Sequence, residues 1–402
     1  MRFTPNRHLR LVAAVGALAV LTGLTACSNG SPAAGIAGPA TTPSAPATGP
    51  SATGSAAGDP SGGSSAGAPD SSSSGSGKRS GGTVILITHD SFNMDKSVIA
   101  DFESSSGIQL KILAQGDAGA MVNKLVLTKD KPLGDVVFGI DNSFASRALD
   151  AGVLQSYAPT AAANGADKYA VDPQNRLTAV DYGDVCINVD HRWFADKKLA
   201  EPRTYEDLTK PAYKNLLVVP SPATSSPGLA FLLGTVAHFG SAGDPAGWLK
   251  YWTALKNNGV KVTAGWEDAY TVDFSGSSGK GARPLVLSYA SSPPFEMKAG
   301  ATEAPTGALL DTCFRQVEYT GVLAGAANPD GAKKVVDFLL SKEFQDAMPE
   351  QMYVYPVSRT AKLPPSWKQF APAATKPEAM DPAEITGNRE KWIGAWSNLM
   401  EN

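Results

Sequence analysis

The 402-residue chain is poor in the side chains that most often carry chemistry: it has three cysteines and four histidines. Beyond the first 80 residues the histidines are His89, His191 and His238, with no short ligand spacing between them, so no metal site is expected. Lys and Arg are not clustered and the formal net charge is −3, which argues against a nucleic-acid partner. Past residue 26 no apolar run is long enough to span a bilayer. Residues 28–80 lack large apolar side chains almost entirely, being built of Gly, Ala, Ser, Pro and Thr with Asp59, Asp70, Lys78 and Arg79 as the only charges. Such a stretch has too little apolar surface to offset the entropy of ordering it. A disordered linker is expected there, holding the next domain roughly 40 Å from its attachment as a coil. A glycosylated stalk would change its stiffness but not its role.

What is present at the N-terminus is equally directive. Arg2, Arg7 and Arg10 precede an apolar stretch from Leu11 to Ala26, which ends in Leu24-Thr25-Ala26-Cys27. A positive flank, a short apolar core and small residues before the cut make a secretory signal. The stretch contains Gly16, Thr22, Gly23 and Thr25 and falls short of the roughly 20 apolar residues of a spanning helix. Cys27 at the cut resembles the bacterial lipobox, in which the Cys is lipid-modified and becomes the first residue. Residues 1–27 are therefore expected to be a lipoprotein signal peptide, and the mature chain to sit on the outer face of the cytoplasmic membrane by a lipid on Cys27. The alternatives are a plain signal peptide with an incidental Cys, or a short membrane anchor. Cys186 and Cys313 form an even pair in an oxidising compartment, which suggests one disulfide. Closing that loop would stabilise by about 4–5 kcal/mol in the chain-entropy model. Two buried free thiols in neighbouring strands are the other reading.

Residues 81–402 are enough for two lobes, each with its own core. Thr83–Thr88 is a continuous, mostly β-branched run, as in a strand buried on both faces. A helix with Val98, Ile99 and Phe102 follows, stopped by Gly107; then come a strand over Gln109–Leu113, a helix over Gly119–Leu127 and a strand over Asp135–Ile140. A second set has strands at Asn215–Pro220, Val260–Thr263 and Pro284–Tyr289, and helices at Gly228–His238 and Pro245–Asn257. The alternation predicts an α/β fold with mainly parallel sheet. Two long extended segments, Thr178–Asp190 and Ala308–Val322, would cross between the lobes as a hinge, each carrying one of the two cysteines. The first lobe is expected at about 81–178 and the second at about 191–307, each with part of the C-terminal region. A single helix is expected over Lys333–Met348, with Val335, Val336, Leu339, Leu340 and Phe344 on its apolar stripe.

Polar and aromatic residues gather at the ends of these strands, which border the ligand crevice in an open α/β sheet. His89-Asp90-Ser91-Phe92, Gln115-Gly116-Asp117 and Asp141-Asn142 follow the first three strands. Thr224-Ser225-Ser226-Pro227-Gly228 starts a helix, where free N–H groups favour an anion; simple helix capping explains the same residues. Gly265-Trp266-Glu267-Asp268-Ala269-Tyr270 sets a Trp beside two acids, and Ser288-Tyr289-Ala290-Ser291-Ser292-Pro293-Pro294-Phe295 puts two aromatics in a Ser/Pro-rich loop. Aromatics with nearby carboxylates suit a flat cationic heteroaromatic ligand, or else ordinary packing under a loop.

Taken in order, Thr88–Phe92, Asp135–Asn142, Thr224–Leu229, Gly265–Tyr270 and Leu287–Pro293 resemble the thiamine-binding proteins of bacterial ABC importers, and the likeness spans essentially all of residues 81–402. The resemblance implies a two-lobed, type II periplasmic-binding-protein fold with the ligand cleft between the lobes. It implies thiamine or its phosphates as ligand and a permease and ATPase as partners. By position, Trp266 and Tyr289 would wall the aromatic rings, Asp117 would hydrogen-bond the ligand, and Ser225 at its helix N-terminus would face a phosphate. Tyr353 would stand in the place of a family Trp. His89, Asp90, Ser91, Asp141, Ser226, Ser291 and Phe295 complete the candidate set; His89 and Phe295 each replace a family Tyr. A protonated His89 beside a thiazolium would repel it, so binding should weaken at mildly acidic pH. The Cys186 and Cys313 pair is not part of the resemblance. The implied mechanism is binding without chemistry, with no cofactor and a monomeric chain. Other readings are a ferric-iron or other small-solute binder of the same fold using Tyr353 and Tyr355, a thiamine-degrading enzyme with Cys186 or Cys313 as nucleophile, and a surface scaffold protein without a ligand.

Overall fold

The computed structural model describes residues 81–240, 247–278 and 281–401. The signal-peptide and linker expectations, with the lipidation of Cys27, lie outside the described residues. Ten strands are seen among the described residues: β1 (Gly82–Thr88), β2 (Ile108–Ala114), β3 (Val136–Asp141), β4 (Leu154–Gln155), β5 (Thr178–Asp190), β6 (Leu217–Pro220), β7 (Lys261–Thr263), β8 (Leu285–Tyr289), β9 (Thr306–Leu323) and β10 (Tyr355–Pro356). They form one open sheet in the order β2-β1-β3-β9-β5-β8-β6-β7, with β4 added to β9 and β10 to β5.

The order reveals two halves built alike. In one, β1 is flanked by parallel β2 and β3; in the other, β6 is flanked by parallel β7 and β8. The halves are joined by β5 and β9, which run antiparallel to each other from Thr178↔Thr320 to Asp190↔Thr306. These are the two crossing strands expected from the long extended segments, and β5 has the expected bounds. Helices cover the sheet because each parallel connection must cross over a face. Lys96–Ser106 begins at Asp95, whose carboxylate accepts from the Ser97 N–H, and ends at Gly107 in the left-handed conformation. Ala118–Leu127 is capped by Asp117, and its Met121, Val122 and Leu125 are buried. Ser226–Gly240 is buried along most of its length, matching its nearly unbroken apolar sequence.

The structure corrects two expectations and adds one helix. Lys333–Met348 is two helices, Pro329–Leu339 and Lys342–Gln351. The chain turns at Leu340, and the Ser341 side chain caps a fresh start by accepting from the Phe344 N–H. The turn lets Val335, Val336, Leu339, Phe344 and Met348 share one core. The strand expected from Asn215 starts at Leu217, because Asn215 has φ 62°, which no strand accommodates. A C-terminal helix, Pro382–Glu401, was not anticipated; it docks through Ile385, Arg389 and Trp396, the last edge-on to Trp252.

Cys186 and Cys313 are joined in a disulfide between β5 and β9. Val185 pairs with Phe314 and Ile187 with Leu309, so four residues of β9 bulge opposite Cys186, and the bond pins that bulge. Both sulfurs belong to buried residues.

Candidate binding site

The carboxyl ends of both parallel strand sets point at one cleft. His89 follows β1, Asp117 lies three residues past β2, Trp266 three past β7, and Tyr289 closes β8. The cleft holds a cavity of about 250 Å³ lined by His89, Ser91, Asp117, Ser226, Trp266 and Tyr289 among others. This is the topological position at which open α/β sheets bind ligands, and the volume is near the lower end of small-molecule sites.

One wall is aromatic. The Trp266 indole stacks on Tyr270 with centroids 4.9 Å apart and planes 18° apart, and its Nε1–H donates to the Ser288 hydroxyl at 3.0 Å. Two anchors therefore fix the ring. Tyr289 lies against Gly183, where a Cβ would come within 2.7 Å of the phenol ring, and its hydroxyl accepts from Gln316 at 3.0 Å. Burial, then the charge of Glu318, raises the Tyr289 pKa well above its ordinary value, so the phenol stays neutral. Phe295, 58% exposed, meets Tyr353 edge-on at 4.9 Å at the rim.

The other walls are acidic. Asp117, Glu267 and Glu318 line the cavity, and no Lys or Arg is among the described residues lining it. His89 sits 3.5 Å from Glu318. Gly139 makes room for that ring: it has φ +96°, and a Cβ there would lie 2.2 Å from His89 Cδ2. Burial alone would lower the His89 pKa, but the charge and hydrogen bonding of Glu318 outweigh it and raise the pKa. Beneath Glu318 lies Asp181, its cross-strand partner, wholly buried. Burial and the Glu318 charge push the Asp181 pKa well above its ordinary value.

Several contacts tie one half to the other across the cleft. Asp117 accepts from the N–H of Ser226 at 3.2 Å and of Trp266 at 2.8 Å. The Ala120 N–H donates to the Thr224 carbonyl at 3.0 Å, and the Ser91 hydroxyl to Glu267 at 3.0 Å. Burial raises the Asp117 pKa despite the N–H bonds it accepts.

Of the twelve candidate residues, His89, Ser91, Asp117, Ser226, Trp266, Tyr289, Phe295 and Tyr353 line the cavity. The other four stand behind the wall. Asp90 accepts from the Gly116 N–H at 2.9 Å and joins two loops. Asp141 is wholly buried, accepts from the Ser143 N–H at 2.6 Å and from the hydroxyls of Ser143 and Ser226, and is pushed up to about 7 by burial. Ser291 donates to the Tyr353 carbonyl at 2.5 Å. Ser225 is wholly buried as the cap of its helix, so it does not face the cavity. Glu318, Tyr270, Asn93 and Gln351 line the cavity without having been singled out as site residues. Glu318 had one available signal: a carboxylate within a strand with both faces buried. Asn93 and Gln351 bond each other and gave none.

Residues 131–381 match the family described as bacterial extracellular solute-binding protein. The chain belongs to this family. The Thiamine-binding periplasmic protein of Escherichia coli (strain K12) is 28% identical over 325 residues, covering 78% of this chain and 92% of its own. A solved structure titled Periplasmic thiamin binding protein superposes with a TM-score of 0.67 at 26% identity, covering 79% of this chain and 96% of that one. The periplasmic binding protein AfuA from Actinobacillus pleuropneumoniae shares the fold, with a TM-score of 0.65 at 20% identity over 80% of this chain and 99% of that one. The solute-binding protein is thus a receptor and not an enzyme. Cys186 and Cys313 are bonded to each other, which removes both as nucleophiles.

Proposed function

We propose that this chain captures thiamine outside the cytoplasmic membrane and delivers it to the permease and ATPase of an ABC importer. The observation that carries the reading is the pairing of a fixed aromatic wall, Trp266 on Tyr270 with Tyr289, with the carboxylates of Asp117, Glu267 and Glu318. A flat cation gains from stacking, from the ring quadrupole and from the acidic walls together. The names of the relatives from Escherichia coli and Brucella suis point to the same ligand. His89, Ser91, Ser226, Phe295 and Tyr353 would complete the contacts, with Asp90, Asp141, Ser225 and Ser291 holding the walls from behind.

Residues 81–178 and 191–307 would form the lobes, each with part of the C-terminal region, hinged at β5 and β9. Ligand bridging both lobes binds the closed form more tightly and shifts the population toward it. A lipid on Cys27 and the 28–80 linker would keep the monomeric receptor near its permease at raised effective concentration. Bare iron is disfavoured, because the Tyr355 hydroxyl donates to the Ala371 carbonyl and does not join Tyr353 at the cavity.

Uptake of labelled thiamine at limiting concentration tests the proposal. Cells lacking this gene should lose uptake and regain it with the intact gene. Unchanged uptake in the deletion strain, with no second thiamine route present, would refute the assignment.

A further inference from the structure

Tyr353 stands in a backbone conformation that its residue type disfavours. It follows the helix Lys342–Gln351 and its cap Met352, with φ 55°. Glycine usually fills this left-handed position past a helix end, because any other side chain there crowds the following carbonyl oxygen. The neighbouring rings hold the Tyr353 side chain only in part. Trp367 lies nearly parallel to it with centroids 6.3 Å apart, and the exposed Phe295 meets it edge-on at 4.9 Å. The backbone is held from another quarter: the Ser291 hydroxyl donates to the Tyr353 carbonyl at 2.5 Å, and Ser291 is wholly buried. The two residues come from different halves of the molecule. Ser291 lies two residues past β8, whereas the helix before Tyr353 shares the core of Val84, Leu86 and Val136 through Phe344 and Met348. Tyr353 lines the cavity. Backbone strain of this kind persists where the surroundings over-determine it, and it clusters at ligand sites.

We infer that Ser291 is a positioning residue for the cleft: through the Tyr353 carbonyl it holds Tyr353 in the left-handed conformation that presents its ring to the cavity. The inference rests on the thiamine reading above for its ligand and adds to it the contact that sets one wall. Ser291 is not among the residues lining the cavity, so its effect on a ligand passes through Tyr353. Without the Ser291 hydroxyl the carbonyl loses this donor, and the strain at Tyr353 is relieved by backbone rotation, which carries the ring off the cavity. The same bond ties one half to the other, as the contacts of Asp117 and Ser91 do.

Titration of thiamine into the purified full chain and its variants tests the inference. Ser291→Ala should weaken binding about fivefold, the loss of one net hydrogen bond. In the Tyr353→Gly background the same substitution should change affinity by less than about twofold, because no ring is left to place and no strained side chain to hold. Ser291→Cys keeps the volume with a poorer donor and serves if Ser291→Ala does not fold. Wild-type affinity in the Ser291 variant, or a loss of equal size in both backgrounds, overturns the inference while leaving the thiamine reading intact. Denaturant unfolding gives a second readout: Tyr353→Gly should unfold at a higher midpoint than Tyr353→Ala, the reverse of the order at an unstrained position. A lower midpoint for the glycine variant contradicts the left-handed conformation and overturns the inference as well. No thiamine binding by the folded wild-type chain overturns the thiamine reading, and the inference with it.

Discussion

At the scale of single residues the cleft is governed by charge. Asp117, Glu318 and, behind Ser226, Asp141 favour a bound cation when ionised, and His89 opposes it when protonated. Asp117 and Asp141 have raised pKa values, the latter about 7, and both lose negative charge as pH falls. His89, whose pKa is lifted by Glu318, gains positive charge over the same descent. Each change disfavours a cation, so thiamine affinity should fall by about tenfold between pH 8 and pH 5, equivalent to one pKa unit of linkage. Affinity measured by titration at those two pH values checks this, and equal values would show that none of these groups is felt at the ligand. The expectation that a protonated His89 repels a thiazolium is thereby widened: His89 is half of a pair with Glu318, and the pair sits over Asp181, whose pKa is raised by burial and the Glu318 charge.

At the scale of elements, β5 and β9 are the part most legible in the sequence. Thr178–Asp190 folds with the expected bounds, its Ala179, Val180, Val185, Ile187 and Val189 buried together with Asp181, Asp184 and Asn188. The strand-end loops carrying His89, Asp117, Trp266 and Tyr289 were legible for a related reason. The local pattern locates each strand, and the cleft lies where the strands end. What was hidden depends on distant partners. Glu318 is one polar residue in a strand until Asp181 and His89 are brought to it by pairing across the sheet. The break at Leu340 and Ser341 was masked by an apolar stripe that continues across it. Ser225 looked available for an anion because nothing in the sequence places Asp117 over its helix. The disulfide of these two strands also carries an expectation. Replacing both Cys186 and Cys313 by Ala should lower stability by about 2–5 kcal/mol, since the bond closes a long loop and pins the β9 bulge. Denaturant unfolding of the oxidised protein and the double variant measures the difference, and coincident curves would mean the bulge holds without the bond.

At the scale of the whole molecule, two similar halves with parallel strands 2-1-3 face each other across strands that belong to both. That arrangement explains how residues as far apart in sequence as His89 and Tyr353 share one small cavity. It also gives weight to the contacts of Asp117 and Ser91, which tie one half to the other beside the cavity. The central claim is that this cleft binds one thiamine through the Trp266 wall. Calorimetric titration of thiamine into protein stripped of ligand by unfolding and refolding tests it most directly, with Trp266→Ala alongside. One-to-one binding that weakens by about thirtyfold in the variant, the cost of losing about 2 kcal/mol of aromatic contact, is the expected result. No heat of binding from folded wild-type protein, or equal affinity in the variant, would contradict the claim.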